Sequence, residues 1–292
     1  MEKTPLFKGV ATALATPFDE SGIDLSAFGN MIERQINAGV SAIVVCGTTG
    51  EASTLTREEK RRLTAFAAER VNGRVPVISG SGCNDTAEAI KLSKDAAEAG
   101  ADALLIVTPY YNKCTQKGLA EYYKAVSEAA GKPFIAYSVP SRTGVRIEPE
   151  TAAKIAELPL AYGIKDAGDS ISDTARTVML CGEKLPLYCG CDDRILPVLS
   201  LGGYGAVSVV SNLFPAETER LCDSFFEGKT KEAAELQLKL LPLIKALFCE
   251  VNPIPLKAAL AEMGLCRNLL RAPLTAISEE GRKELLSNLF HL

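Results

Sequence analysis

Histidine is all but missing from this sequence: of 292 residues the only one is His291, next to the last position. A Ser-His-Asp triad, a Cys-His dyad or a histidine-ligated metal needs an imidazole held in a cleft. Acid–base chemistry must therefore fall to tyrosine, lysine or carboxylates. Long apolar runs are missing too. None reaches the roughly 18 residues that cross a bilayer, and Lys8 interrupts the apolar start before any leader-like stretch can build, so neither membrane nor secretory leader is expected. Blocks of basic residues interleaved with aromatics are absent and the net charge is −4, which argues against nucleic acid as a partner. Cysteine is plentiful at nine, but patterned spacing is not. Only Cys189 and Cys191 lie close, and no second pair completes a zinc site. No metal is expected, and the cysteines read as small core residues of a cytoplasmic, reducing compartment.

What the sequence does have is a regular alternation. Short β-branched runs at 10–15, 42–46, 75–79, 103–108, 134–138, 162–165, 187–190 and 206–209 are each followed by a helical pattern, at 24–38, 56–71, 85–99, 116–130, 149–157, 171–181, 194–201 and 216–226. In the first helix Met31, Ile32 and Ile36 are placed inward, and the second opens on a capping box, Thr56 to Glu59. Eight β-then-α units of this size most simply close into a (β/α)8 TIM barrel. A doubly wound open sheet would want a G-x-G-x-x-G after the first strand, and ATPFDESG offers none. Beyond residue 228 the strand signal stops. Helical patterns at 230–250, 255–263 and 277–290 predict a small C-terminal helical domain, 229–292, packed on a barrel formed by 1–228.

In such barrels the reactive side chains sit at the C-terminal ends of the strands. The sixth strand ends in Gly163-Ile164-Lys165-Asp166. Alternation puts Ala161, Gly163 and Lys165 on one face, small enough to leave room for a long amine in the barrel mouth. Lys165 is the only lysine at the C-terminal end of a predicted strand. An enclosed lysine is a nucleophile toward carbonyls, although a rim lysine paired with a carboxylate would look the same in sequence. The fifth strand brings Tyr137, able to give and take a proton, and after it Arg142, whose guanidinium suits a carboxylate. A core tyrosine and a solvated arginine are equally compatible with the pattern. After the second strand Gly47-Thr48-Thr49-Gly50-Glu51 can present backbone N–H groups and hydroxyls to an anion. After the fourth, Tyr110 and Tyr111 form an aromatic pair on an exposed loop that also suits an oligomer contact. Gly190-Cys191-Asp192-Asp193, after the seventh strand, is acidic and speaks against a phosphorylated substrate.

Five segments, GTTGE at 47–51, TPYYNK at 108–113, SRTG at 141–144, GIKDA at 163–167 and VNPIPLKAAL at 251–260, together resemble the dihydrodipicolinate synthase group, within the wider N-acetylneuraminate lyase family of pyruvate-dependent class I aldolases. The resemblance implies that Lys165 forms a Schiff base with pyruvate and that Tyr137 shuttles protons. Thr49 and Tyr111 would complete the relay, with Thr48 in support and Tyr111 reaching in from a neighbouring subunit. It implies further that Thr48 and Thr49 hold the pyruvate carboxylate, with Val207 lining the pocket. Arg142, with Thr143 and Gly144, would receive aspartate semialdehyde. No cofactor is needed, since the imine is the electron sink, and a homotetramer built as a dimer of dimers is expected. Asn84, Glu88 and Tyr110 match an allosteric lysine site, but Arg57 and Lys60 stand where sensitive relatives have histidine, so weak lysine inhibition is expected. Ser138 and Ala52 depart from the common pattern, which has Asn and Ser there. Two other readings stay open: a sialic acid or keto-deoxy sugar acid aldolase of the same family, and a non-catalytic ligand-binding barrel.

Overall fold

The computed structural model describes residues 3–289, so His291 and Phe290 lie outside the described residues. Eight strands, β1 (Gly9–Ala13), β2 (Ala42–Val45), β3 (Val77–Gly80), β4 (Ala103–Val107), β5 (Phe134–Ser138), β6 (Ala161–Asp166), β7 (Leu187–Cys189) and β8 (Gly205–Ser208), pair in parallel and in sequential order, and β8 closes on β1. Helices α1 (Leu25–Asn37), α2 (Arg57–Val71), α3 (Thr86–Glu98), α4 (Gln116–Ala130), α5 (Pro149–Ala156), α6 (Ile171–Cys181), α7 (Ile195–Ser200) and α8 (Pro215–Phe226) follow the strands in turn. This is a TIM barrel. After it come α9 (Thr230–Ala246), α10 (Ile254–Glu262) and α11 (Glu279–Leu289), with α9 packed on α8 and α11 packed on both α9 and α10. No helix among the described residues is long and apolar enough to cross a membrane.

Period-2 alternation along the strands divides the core in two. Inside the barrel Ala11, Ala13, Val44, Ile78, Leu105, Ile135, Tyr137, Tyr188 and Val207 fill the lumen, and Phe7 closes its N-terminal end by stacking on Tyr188 at 4.1 Å between centroids. Between strands and helices a second, larger cluster runs round the barrel, including Phe28, Ile32, Leu63, Tyr123 and Leu221. The capping box of α2 forms as read: Glu59 N–H donates to Thr56 Oγ1, and the Thr56 N–H donates to Glu59.

Three expectations shift. Ala161 does not share the lumen with Gly163 and Lys165. The pairing of β5 with β6 slips between Phe134 and Ile135, and Ala161 joins the outer cluster instead. The segment after β5 is not a loop: Pro140–Thr143 form one helical turn, started by Pro140 at the first position, where a missing N–H costs nothing. The helix expected over 230–250 stops at Ala246, because the chain must turn to bring Asn252 to the barrel mouth, and Pro253 disfavours helical backbone at the residue before it.

Candidate active site

The strand ends meet in a cavity of about 640 Å³, walled by the ends of β2, β5, β6 and β7 and roofed by α9. Lys165 enters from β6. Its neighbours on the lumen face leave it room. A Cβ on Gly163 would lie 2.8 Å from the Tyr188 ring, and one on Gly190 would lie 3.1 Å from Lys165 Cε. The Lys165 amine stands 4.1 Å above the centre of the Tyr137 ring, and both residues are 6% exposed. Of the two buried lysines, Lys257 is ion-paired, whereas Lys165 has no ion pair among the described residues. That speaks against a rim lysine held by a carboxylate.

Asp192, unremarked as a site residue in sequence, is 3% exposed and lines the same cavity. Burial raises its carboxyl above the ordinary range, against the N–H groups of Val210 and Val209, the Ser208 hydroxyl and the charge of Lys165, all of which favour the anion. Asp192, in the Cys191-Asp192-Asp193 segment, thus ties the turn after β8 through the N–H groups of Val209 and Val210 and also borders the Lys165 cavity, as Asp193 does.

The glycine-threonine turn after β2 places its two hydroxyls differently. Thr48 lines the main cavity and also a second, connected one of about 630 Å³, on the side of Tyr110 and Tyr111. Thr49 is 3% exposed, lines only the cavity that holds Lys165, and accepts a hydrogen bond from Asn252 Nδ2 at 3.1 Å. Glu51, the last residue of that motif, points away from both: its carboxylate is buried against Lys257 Nζ at 2.9 Å and the Arg271 N–H at 3.0 Å. Cys46, just before the turn, is 2% exposed on the wall of the second cavity, and burial pushes its thiol up to about 12, which disfavours the thiolate.

Arg142 is exposed at the junction of the two cavities and donates to the Asn252 carbonyl at 3.0 Å. Thr143 is buried beneath it. Its hydroxyl accepts from Thr108 and sits 2.9 Å from the Val145 carbonyl, which leaves it a structural tie. Gly144 caps the turn with φ +69° and lines only the second cavity. Val207 is in the lumen cluster. The β8-side residue on the cavity wall is Val209. Tyr111 is not with the others: it is 91% exposed, at φ +69°, on the rim of the second cavity. Tyr110 is half-buried, Asn84 accepts from Asn112 through its carbonyl, and Glu88 pairs with Lys91 at 3.4 Å. Asn252, carried within the 251–260 segment, is the site residue that sequence reading did not single out. Its position two residues after Glu250 gave no periodic signal, and only the fold brings it to Thr49.

The comparisons agree with this geometry. The model of the dihydrodipicolinate synthetase family matches residues 6–292. A 4-hydroxy-tetrahydrodipicolinate synthase from Caldicellulosiruptor saccharolyticus is 49% identical over 96% of this chain and 95% of its own length, and one from Alkaliphilus oremlandii is 45% identical over 97% and 98%. The crystal structure of dihydrodipicolinate synthase from Thermotoga maritima superposes with a TM-score of 0.95 at 44% identity, covering 97% of this chain and 98% of that one. With an unpaired buried lysine at the end of β6, a tyrosine ring beneath it and a match along nearly its whole length, the chain belongs to the dihydrodipicolinate synthetase family.

Proposed function

We propose that this chain condenses pyruvate with aspartate semialdehyde through a Schiff base on Lys165, as a 4-hydroxy-tetrahydrodipicolinate synthase of diaminopimelate and lysine biosynthesis. The observation that carries the reading is the Lys165 amine: buried, without an ion pair among the described residues, and stacked over Tyr137 in a cavity of about 640 Å³. The amine attacks the ketone carbon and water leaves, giving an imine. Tyr137 takes and returns protons, and loss of a methyl proton gives the enamine, whose carbon attacks the aldehyde. The amine of the second substrate then displaces Lys165 and closes the ring. No cofactor enters this scheme.

The two threonines divide the work by position. The resemblance gave the relay to Thr49 with Thr48 in support; we assign it to Thr48 instead, because Thr48 borders both cavities and so lies between Tyr137 and the side on which Tyr111 lies. Thr49, which lines the Lys165 cavity only, keeps its other role and donates to the pyruvate carboxylate. Arg142 receives the carboxylate of the semialdehyde. A sugar-acid aldolase would need less positive charge at that place. Tyr111, exposed on a left-handed turn, suits insertion into a neighbouring copy, in keeping with a homotetramer built from tight dimers. Nine unpaired cysteines suit the cytoplasm. We assign 1–228 to the barrel and 229–292 to a C-terminal unit that contributes the cavity roof through Leu241, Ile244, Lys245 and Phe248.

Intact mass after incubation with pyruvate and borohydride tests the reading. One reduced pyruvate adduct on the parent chain, absent from Lys165→Ala, is expected. An unlabelled parent chain would leave the barrel as a binding protein.

A further inference from the structure

The segment VNPIPLKAAL closes the turn after α9, and its second residue, Asn252, is 5% exposed on the wall of the Lys165 cavity. Both of its ends are engaged with the site. The side-chain Nδ2 donates to Thr49 Oγ1 at 3.1 Å, and the main-chain carbonyl accepts from Arg142 Nη2 at 3.0 Å. The remaining polar atom, Oδ1, is buried with no hydrogen-bond partner, the one such side-chain atom among the described residues. Leaving an amide oxygen so forfeits its hydration with no bond in return, and an exception of this kind asks for a reason.

The hydroxyl of Thr49 supplies the reason. A threonine hydroxyl has one proton and two lone pairs. If the amide were turned over, Oδ1 would be satisfied by the Thr49 proton and that proton would be used up inside the protein. As it stands, Nδ2 fills a lone pair of Oγ1 and the Thr49 proton is left to point elsewhere, in a residue that lines the cavity beside Lys165.

We infer that Asn252 is a positioning residue: by donating to Thr49 it fixes that hydroxyl as a hydrogen-bond donor toward the carboxylate of the keto acid that Lys165 takes. The orphaned Oδ1 is the cost of keeping that proton free. Asn252 acts through Thr49 and touches no reacting atom. The assignment rests on the pyruvate reading above.

A double-mutant cycle tests it. Pyruvate half-saturation is measured by borohydride trapping and intact mass, and KM for both substrates by steady-state kinetics, for the parent, Asn252→Ala, Thr49→Val and the double variant, with Asn252→Ser in place of Ala should the latter melt below the assay temperature. Each single change is expected to raise pyruvate half-saturation about fivefold, the worth of one ordinary hydrogen bond. The double variant should be no worse than Thr49→Val alone, while the aldehyde KM moves less than about twofold. Effects that multiply, or an Asn252 variant that binds pyruvate like the parent, would overturn the assignment. A parent chain that forms no adduct overturns the Schiff-base reading itself, a different result from an adduct that forms with unchanged half-saturation in the variant.

Discussion

Lys257 Nζ lies 2.9 Å from Glu51 Oε1 with neither side chain exposed to solvent. The pair joins the turn after β2, which carries Thr48 and Thr49, to α10 beyond the barrel. The same amine donates to the Thr16 carbonyl at 2.8 Å and stands 4.2 Å over the Phe18 ring, and Glu51 is held at φ +56°, a strained backbone for a side-chain-bearing residue. Burial lowers the Lys257 ammonium from its ordinary range, and the Glu51 charge holds it up. Removing one partner strands the other's charge. Lys257→Met should therefore destabilise the chain by roughly 3–5 kcal/mol, and Lys257→Met with Glu51→Leu should recover part of it, the Arg271 N–H and the Thr16 carbonyl still lacking their partners. Denaturant unfolding of the parent and the two variants measures this. A loss for Lys257→Met of only about 1 kcal/mol, the size of an exposed pair, would mean that the site is wetter than the structure shows.

Lys165 reaches the cavity because Gly190 has no side chain. A Cβ there would lie 3.1 Å from Lys165 Cε, 2.8 Å from Ala167 Cβ and 3.0 Å from the Asp166 carbonyl, and Gly190 is held by its own N–H to that carbonyl at 2.7 Å. Two of these three neighbours cannot move without bending β6, so the lysine must. Gly190→Ala is expected to slow borohydride-trapped adduct formation by about tenfold or more, since small displacements of a reacting group cost that much. The far-ultraviolet circular dichroism should stay unchanged. Adduct formation at the parent rate would show that the lysine tolerates a new position.

The barrel was legible because each of its units repeats one local pattern, and Lys165 because strand alternation is local as well. What sequence could not supply were partners across the chain. Glu51 reads as part of an anion-binding turn, yet its carboxylate belongs to a lysine 206 residues on. Asn252 reaches Thr49 across 203 residues. In α1 the apolar pattern placed Ile36 inward, but Gln35 is the buried one, 1% exposed, bridging Thr12 and the Ser211 carbonyl, while Ile36 is half-buried. A polar residue between apolar positions gives no hint of such a network. Ala161 was misplaced by a single slip of register, invisible to any period-2 rule.

At the opposite end of the barrel Glu219 predicts a pH effect. It receives the Val10 N–H at 3.0 Å and the Ser41 N–H at 3.3 Å on one oxygen, while the other lies 2.9 Å from Ser41 Oγ, which donates to the Lys8 carbonyl at 2.7 Å. With the serine proton spent on Lys8, the second oxygen is best served by carrying a proton itself. Burial pushes this carboxyl up to about 7, Asp223 adds to the push, and the bonds from Ser41 and Val10 only partly oppose it. Between about 4.5 and about 7 the folded chain holds a proton that the unfolded chain has lost, so stability falls as pH rises through that window. Glu219→Gln mimics the protonated form, its amide donating to Ser41 Oγ. It should match the parent near pH 4, below that window, and exceed it at pH 8 by up to roughly 3 kcal/mol. Thermal unfolding across that range measures the difference. A parent curve with the same slope as the variant would refute the assignment.

Of the three residues that the resemblance assigns to a lysine site, Asn84, Glu88 and Tyr110, only Tyr110 lines the second cavity. Its wall carries Lys60, Lys113 and Arg142 and no carboxylate, and Glu88, which would have to receive a ligand's ammonium, is paired with Lys91 instead. Arg57 does not add to this charge as its sequence position suggested, because its guanidinium is engaged by Asp95. Lys60 and Lys113 suffice, however, to make this open cavity unfavourable to a molecule with two ammonium groups and one carboxylate. Lysine at several millimolar is therefore expected to leave initial rates within about 20% of the uninhibited value, a bound set by Coulomb repulsion worth a tenfold or greater loss in affinity. Lys60→His should lower the concentration of lysine needed to inhibit if that charge is the obstacle. Inhibition of the parent chain at sub-millimolar lysine would show that Tyr110 and Asn84 hold the ligand regardless, and that assembly of the chain brings acidic groups to the cavity.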